Sequence, residues 1–211
     1  MNVKKFILSY YKNATKGIHV KKVKQSVEAQ SPHTHEYFQV FYVIQGSLIH
    51  YVENVEGILY RGDMTIIPPN VEHHIGPIDD KTEFYSFSFM NDIFDDAYKS
   101  DKIAVNFLNQ LTSTNKSAIQ PKISLPNDEI LYVETIIERI YKEFNLKMVG
   151  SDEVVRSNAA ILLTIFARTY FETIKEAVPM GVKNFNQYIL YCIKYIDANF
   201  HEPLSLTEMA K

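Results

Sequence analysis

The spacing of apolar residues changes once along this chain, and that change limits the folds open to it. From about residue 3 to 90 the segments GIHVKKVKQ, YFQVFYVIQ, SLIHYVEN, GILYR, DMTIIP and EFYSFSFM are short, rich in β-branched and aromatic residues, and separated by turn formers. Closely spaced short strands of this kind predict a sandwich or barrel. From about 126 the repeat lengthens: Ile130, Val133, Ile137, Ile140 and Phe144 step by 3, 4, 3 and 4, the seam of a helix built to pack on another. Asn127 is its predicted N-cap, and Asp128 and Glu129 suit its first turn. A second helix is predicted from Ser151, its cap, to the stop at Pro179 and Gly181. Its apolar face through Val155, Ala159, Leu162, Phe166 and Tyr170 is broad, with Leu163 and Ile165 apolar on other sides. Such a helix needs cover from more than one direction. It can close the mouth of the β domain, meet a second copy of the chain, or do both. The class predicted is α+β.

Composition narrows the function. With 211 residues, 46% of them hydrophobic and 22% charged, the chain can bury a real core. No apolar run approaches the roughly 20 residues that span a bilayer, and the N-terminus does not read as a cleavable leader. The single cysteine, Cys192, excludes an internal disulfide and fits a reducing, cytoplasmic setting with no membrane partner. Residues 1–27 hold seven lysines and no acid, leaving 15 basic against 25 acidic residues in the remainder. The basic lead is read as a solvated strand, with nucleic-acid contact as its alternative. The acidic body does not suit a DNA-binding surface.

The densest chemistry lies in SPHTHEYFQVFYVIQG and RGDMTIIPPNVEHH. His33, His35 and Gln39 share a parity, so on extended backbone they point to one face. In the second stretch Gly62 opens a turn, Asp63 to Ile67 reads as a strand, and Pro68-Pro69-Asn70 makes another turn before His73. Asn70 is among the few non-glycine residues that tolerate a left-handed backbone. Facing hairpins would bring His73 toward His33 and His35, with His74 on the opposite face. Cys192 reads as a packing residue, and no nucleophile elbow, phosphate loop or dinucleotide fingerprint occurs.

These residues resemble the two cupin motifs: His33, His35, Gln39 and Gly46 in the first, Gly62, Pro68, Asn70 and His73 in the second. Gln39 stands where cupin enzymes carry a metal-binding Glu, and Asn70 where Gly is usual. An amide offers a metal only a neutral carbonyl, so no catalytic residue, cofactor or catalytic metal is expected; His33, His35 and His73 are the candidates if a metal binds. The alternative is a metal-dependent cupin enzyme, an isomerase or dioxygenase, using His33, His35, Gln39 and His73. Strand parity and the resemblance together predict a ligand pocket among His33, His35, Gln39, Phe41, His50, Tyr60, His73 and Tyr85.

Toward the C-terminus, Ile189, Ile193, Ile196 and Phe200 form one apolar face, Pro203 breaks the helix, and Ser205 with Glu208 makes a capping box. Together they look like the opening of the helix-turn-helix domain of AraC/XylS-family transcription regulators. The resemblance implies a cupin-like sensing and dimerisation domain over 1–178 (barrel about 1–90, helices about 91–178), a linker at 179–186 and a truncated reader at 187–211. It implies a small-molecule effector and a homodimer, with duplex DNA bound only through a C-terminal domain mostly missing here and no DNA-binding residue within these 211. The dimer surface would be Ile130, Val133, Ile137, Ile140, Phe144, Leu162 and Phe166. A ligand-free interaction module is the third possibility, and a filled barrel interior would be its sign.

Overall fold

The runs rich in β-branched and aromatic residues become strands that pair into two five-stranded sheets. In chain order these are β1 Lys4–Phe6, β2 Ile18–Val23, β3 His33–His35, β4 Phe38–Gln45, β5 Ser47–Val52, β6 Val55–Tyr60, β7 Asp63–Ile67, β8 His73–Ile75, β9 Glu83–Phe89 and β10 Lys122–Ser124. One sheet runs β1-β3-β8-β5-β6 and the other β10-β7-β4-β9-β2. The helices are α1 Ile103–Ser113, α2 Asn127–Leu146 and α3 Ser151–Glu176. This computed structural model describes residues 4–11, 17–24, 29–53, 55–76, 81–90, 93, 103–113, 121–176 and 195–196. The chain divides into two compact units, Met1–Tyr170 and Phe171–Lys211. To the described residues the second unit contributes the end of α3 and a helical pair at 195–196, so the linker, Cys192 and the capping box lie outside them. Among the described residues no helix is long and apolar enough to cross a membrane.

Alternation decides what each sheet shows to which side. On β4, Gln39, Phe41 and Val43 face β9 residues Ser88, Ser86 and Phe84 in register, and Phe41, Val43 and Phe84 join Leu48, Val52, Leu59, Ile67 and Ile75 in one buried cluster between the sheets. The intervening Val40, Tyr42, Tyr85 and Phe87 turn to the opposite face. There α2 packs: Tyr42 donates to Glu134 at 3.4 Å and the Tyr85 ring lies 5.6 Å from that of Tyr141.

This packing corrects the predicted dimer seam. Val133, Ile137, Ile140, Phe144, Leu162 and Phe166 are all buried within the chain itself, and half-buried Ile130 packs at the Gly62 turn. The cover that the broad face of α3 demands comes from α1, whose Phe107 ring lies 5.5 Å from Phe166. The caps also differ from expectation. Pro126 occupies the cap position of α2 without a side-chain bond, and Ser151 Oγ donates across to Glu143 at 2.8 Å rather than to its own helix.

Strand β10 falls inside the stretch read as helical, and pairs antiparallel with β7. It is anchored by Asp63, whose Oδ2 accepts from the Tyr60 N–H at 2.9 Å and from Lys122 Nζ at 2.8 Å, while Oδ1 accepts from Ser124 Oγ at 2.6 Å. Burial pushes the Asp63 carboxyl upward, but these donors outweigh it and hold it below the usual carboxylate range. Lys122 also donates to the Ile58 carbonyl at 2.9 Å, tying edge strand β6 of one sheet to edge strand β10 of the other. Asp63→Ala strands three donors at once and is expected to cost about 2–3 kcal/mol, read as a lower urea midpoint.

Candidate ligand-binding site

The two motif stretches meet as their spacing predicts. His33 of β3 pairs directly with His73 of β8, and the Pro68-Pro69-Asn70 turn is fastened by the Asn70 N–H donating to the His35 carbonyl at 2.7 Å. Asn70 takes φ of 62°, the left-handed conformation its side chain tolerates. Gly46, at φ of 73°, ends β4 where an added Cβ would come within 2.8 Å of the Lys81 carbonyl oxygen. The His73 ring consequently lies 4.4 Å from that of His33 and 4.6 Å from that of His35, which in turn stacks on Tyr37 at 4.2 Å.

Proton accounting defines the centre of the cluster. His73 Nδ1 is 3.1 Å from the Val71 carbonyl, and its Nε2 is 3.1 Å from Gln39 Oε1; Gln39 Nε2 reaches Ser86 Oγ at 3.0 Å. Burial, then the neighbouring His35 and His33, bring the His73 pKa down to about 2, so the ring is neutral. Gln39 donates from Nε2 to Ser86 Oγ and turns its Oε1 to His73 Nε2, so both ends of the amide are engaged. Gln39 is therefore a structural amide held from both sides.

His35 and His50 differ: among the described residues neither ring nitrogen of either has a hydrogen-bond partner, and both residues are buried. Burial brings each pKa to about 4. For His35, the nearby Tyr37 backbone and Gln39 oppose the shift without forming a bond of good geometry.

A cavity of about 430 Å³ opens beside this cluster, lined by Lys21, His33, Gln39, Phe41, Ile75 and Phe84, with Lys4, Phe6 and Tyr11 at its rim. It lies between the sheets at the edge where β1 and β2 run. Of the eight predicted pocket residues, His33, Gln39 and Phe41 line it. His35, His50 and His73 are buried inside the β domain but are not among its lining residues. Two predictions fail on register. Tyr60 is 57% exposed, because on β6 it is Leu59 that points inward, and Tyr85 faces α2. Sliding the parity by one on EFYSFSFM exchanges Tyr85 for Phe84 and Ser86. Lys21 and Phe84 were missed. The strict alternation of Phe84, Ser86 and Ser88 was the available signal for β9.

The cluster shares one feature with metal centres. His33 and His73 both direct Nδ1 toward a backbone carbonyl, Ser31 at 3.0 Å and Val71 at 3.1 Å, the arrangement that orients a metal-binding Nε2. Yet His73 Nε2 is occupied by Gln39, no carboxylate is supplied, and among the described residues no three His, Cys, Asp or Glu side chains are placed to hold an ion. As these side chains stand, they do not converge on one ion.

Two facing sheets, the paired motif turns and the helices that follow define a cupin-like α+β fold. Residues 24–120 match the family described as the AraC-like ligand binding domain. No curated protein matches the chain. Among solved structures, the chain is similar to a cupin-2 domain containing protein from Shewanella frigidimarina, at 25% identity over 35% of this chain and 72% of that one with a TM-score of 0.31. It is also similar to an RmlC-like cupin family protein from Methanocaldococcus jannaschii, at 19% identity over 36% and 72% with a TM-score of 0.32, and to a cupin superfamily protein from Desulfitobacterium hafniense, at 11% over 36% and 71% with a TM-score of 0.32.

Proposed function

We propose that this chain is the effector-sensing region of an AraC-type transcription regulator: a cytoplasmic protein whose β domain binds a small molecule and thereby controls an attached DNA-binding domain. Residues 187–211 resemble the start of that domain. The observation that carries this reading is the cavity beside Gln39. A residue that catalysis would need as a metal ligand is instead locked between His73 and Ser86, while the space next to it stays open and apolar-floored. The match of residues 24–120 supports the sensing role.

A thermal-shift screen of small metabolites against the purified chain tests it, with a metal assay on the same protein. Ligands that raise the midpoint in proportion to occupancy, together with substoichiometric metal, are expected. Stoichiometric tightly bound iron, manganese or nickel would favour the metal-dependent enzyme instead.

A homodimer belongs to the same proposal, on a different surface from the buried seam. Leu131, Tyr132 and Ile161 are 74%, 52% and 41% exposed, and the latter two line a groove between α2 and α3 with Glu138, Arg139 and Lys142. Mixed charge around an apolar strip suits pairing with a second copy of itself.

A further inference from the structure

The cavity has a charge character that the sensing role alone does not require. Among the described residues that line it, two are lysines, Lys4 and Lys21, and none is acidic; burial lowers the pKa of His33, the histidine there, and favours its neutral ring. Lys21 stands in register with Ser86 and Phe41 across the second sheet, which places it on the face turned toward the cavity. Nearby Lys22 and Lys24 both pair with Glu83, at 3.4 and 3.7 Å; among the described residues no such pair forms at Lys21. Burial lowers the Lys21 pKa with no carboxylate acting against it. Half-buried Lys21 gives up part of its hydration without gaining a counter-charge, a cost that a bound anion would offset. Beside the polar Gln30, Ser31 and Gln39 the lining has an apolar floor: Phe41 and Phe84 meet edge to face at 5.7 Å, with Ile75 beside them.

We infer that the cavity selects small organic anions, a carboxylate-type head meeting Lys21 with Lys4 and His33 nearby, and an apolar or aromatic body lying on Phe41, Phe84 and Ile75. This rests on the sensing role proposed above and adds the chemical class of the effector. The charged head supplies the missing partner of Lys21 through a charge-assisted hydrogen bond, and Gln39, already engaged on both sides, is left to shape the wall.

Calorimetric titration of the full 211-residue chain with three probes of one shape tests the inference: hydrocinnamate, hydrocinnamyl alcohol and the matching primary amine. The acid is expected to bind at least about tenfold more tightly than either of the others, the effect of one charge-assisted contact. Lys21→Met is expected to bring the acid down to the level of the alcohol, and Lys21→Arg to keep most of its advantage. If the methionine variant does not fold, the acid-to-alcohol ratio of the natural sequence and the arginine variant decide alone. An alcohol or amine that equals the acid overturns the anion class and leaves the cavity as a ligand site. Failure of all three to bind overturns both.

Discussion

Acidification from about pH 7.5 to about pH 5 is expected to remove several kcal/mol of stability, a large share of what a domain of this size has. The cause is the set of buried neutral imidazoles. His35 and His50 are shifted to about 4 and His73 to about 2, each first by burial, while in the unfolded chain a histidine titrates near its ordinary value of about 6.5. Lowered folded values mean that the unfolded state binds more protons below that value. The stability is therefore full above about pH 6.5 and drains as pH falls toward 4, by roughly 2 kcal/mol per histidine at pH 5. Urea midpoints across this range measure it. His50→Leu is the informative variant: it removes two buried nitrogens that have no partner among the described residues, so it is expected to be neutral or stabilising at pH 7 and to shallow the acid slope by about one proton. A flat profile from pH 7.5 to 5 would show that these rings are not buried and neutral together.

Replacing Ile137 and Ile140 with Glu is expected to unfold the protein. Both are at most 4% exposed, on the α2 face covered by the chain itself. Two carboxylates forced into that contact lose their apolar burial and gain no partner, a penalty of several kcal/mol together. Leu131→Glu with Ile161→Glu, on the exposed outer face, is expected to leave the fold intact and shift the chain from dimer to monomer by sedimentation velocity. Folded monomers from the first pair would restore the original seam. An unmodified chain that is monomeric at micromolar concentration would remove the dimer.

How much of this was legible in the sequence depends on what each signal encodes. The period change located the strands and helices because side-chain alternation and helical stepping are local. The meeting of His33, His35, Gln39 and His73 was legible because two short-range turns, at Gly62 and at Asn70, set where each hairpin reverses. What failed needed the partner of an element. The stepping from Ile130 to Phe144 says that α2 packs, but not that it packs on Tyr42 and Tyr85 of its own sheet instead of on a second chain. Tyr60 and Tyr85 failed because an alternating strand looks the same from either side, and only pairing fixes the face. Lys21 was hidden among seven lysines in the first 27 residues, and its separation from Lys22 and Lys24 depends on where Glu83 lies.

In the proposed sensor, the space between Lys21, Gln39, Phe41 and Phe84 receives the effector. The most direct measurement is a crystal structure of the chain soaked with the tightest ligand from the thermal-shift screen. The expected result is density filling that cavity, its polar head toward Lys21 and its apolar body against Phe41 and Phe84. Density confined to the groove between Tyr132 and Ile161, with the cavity closed or empty, would contradict it.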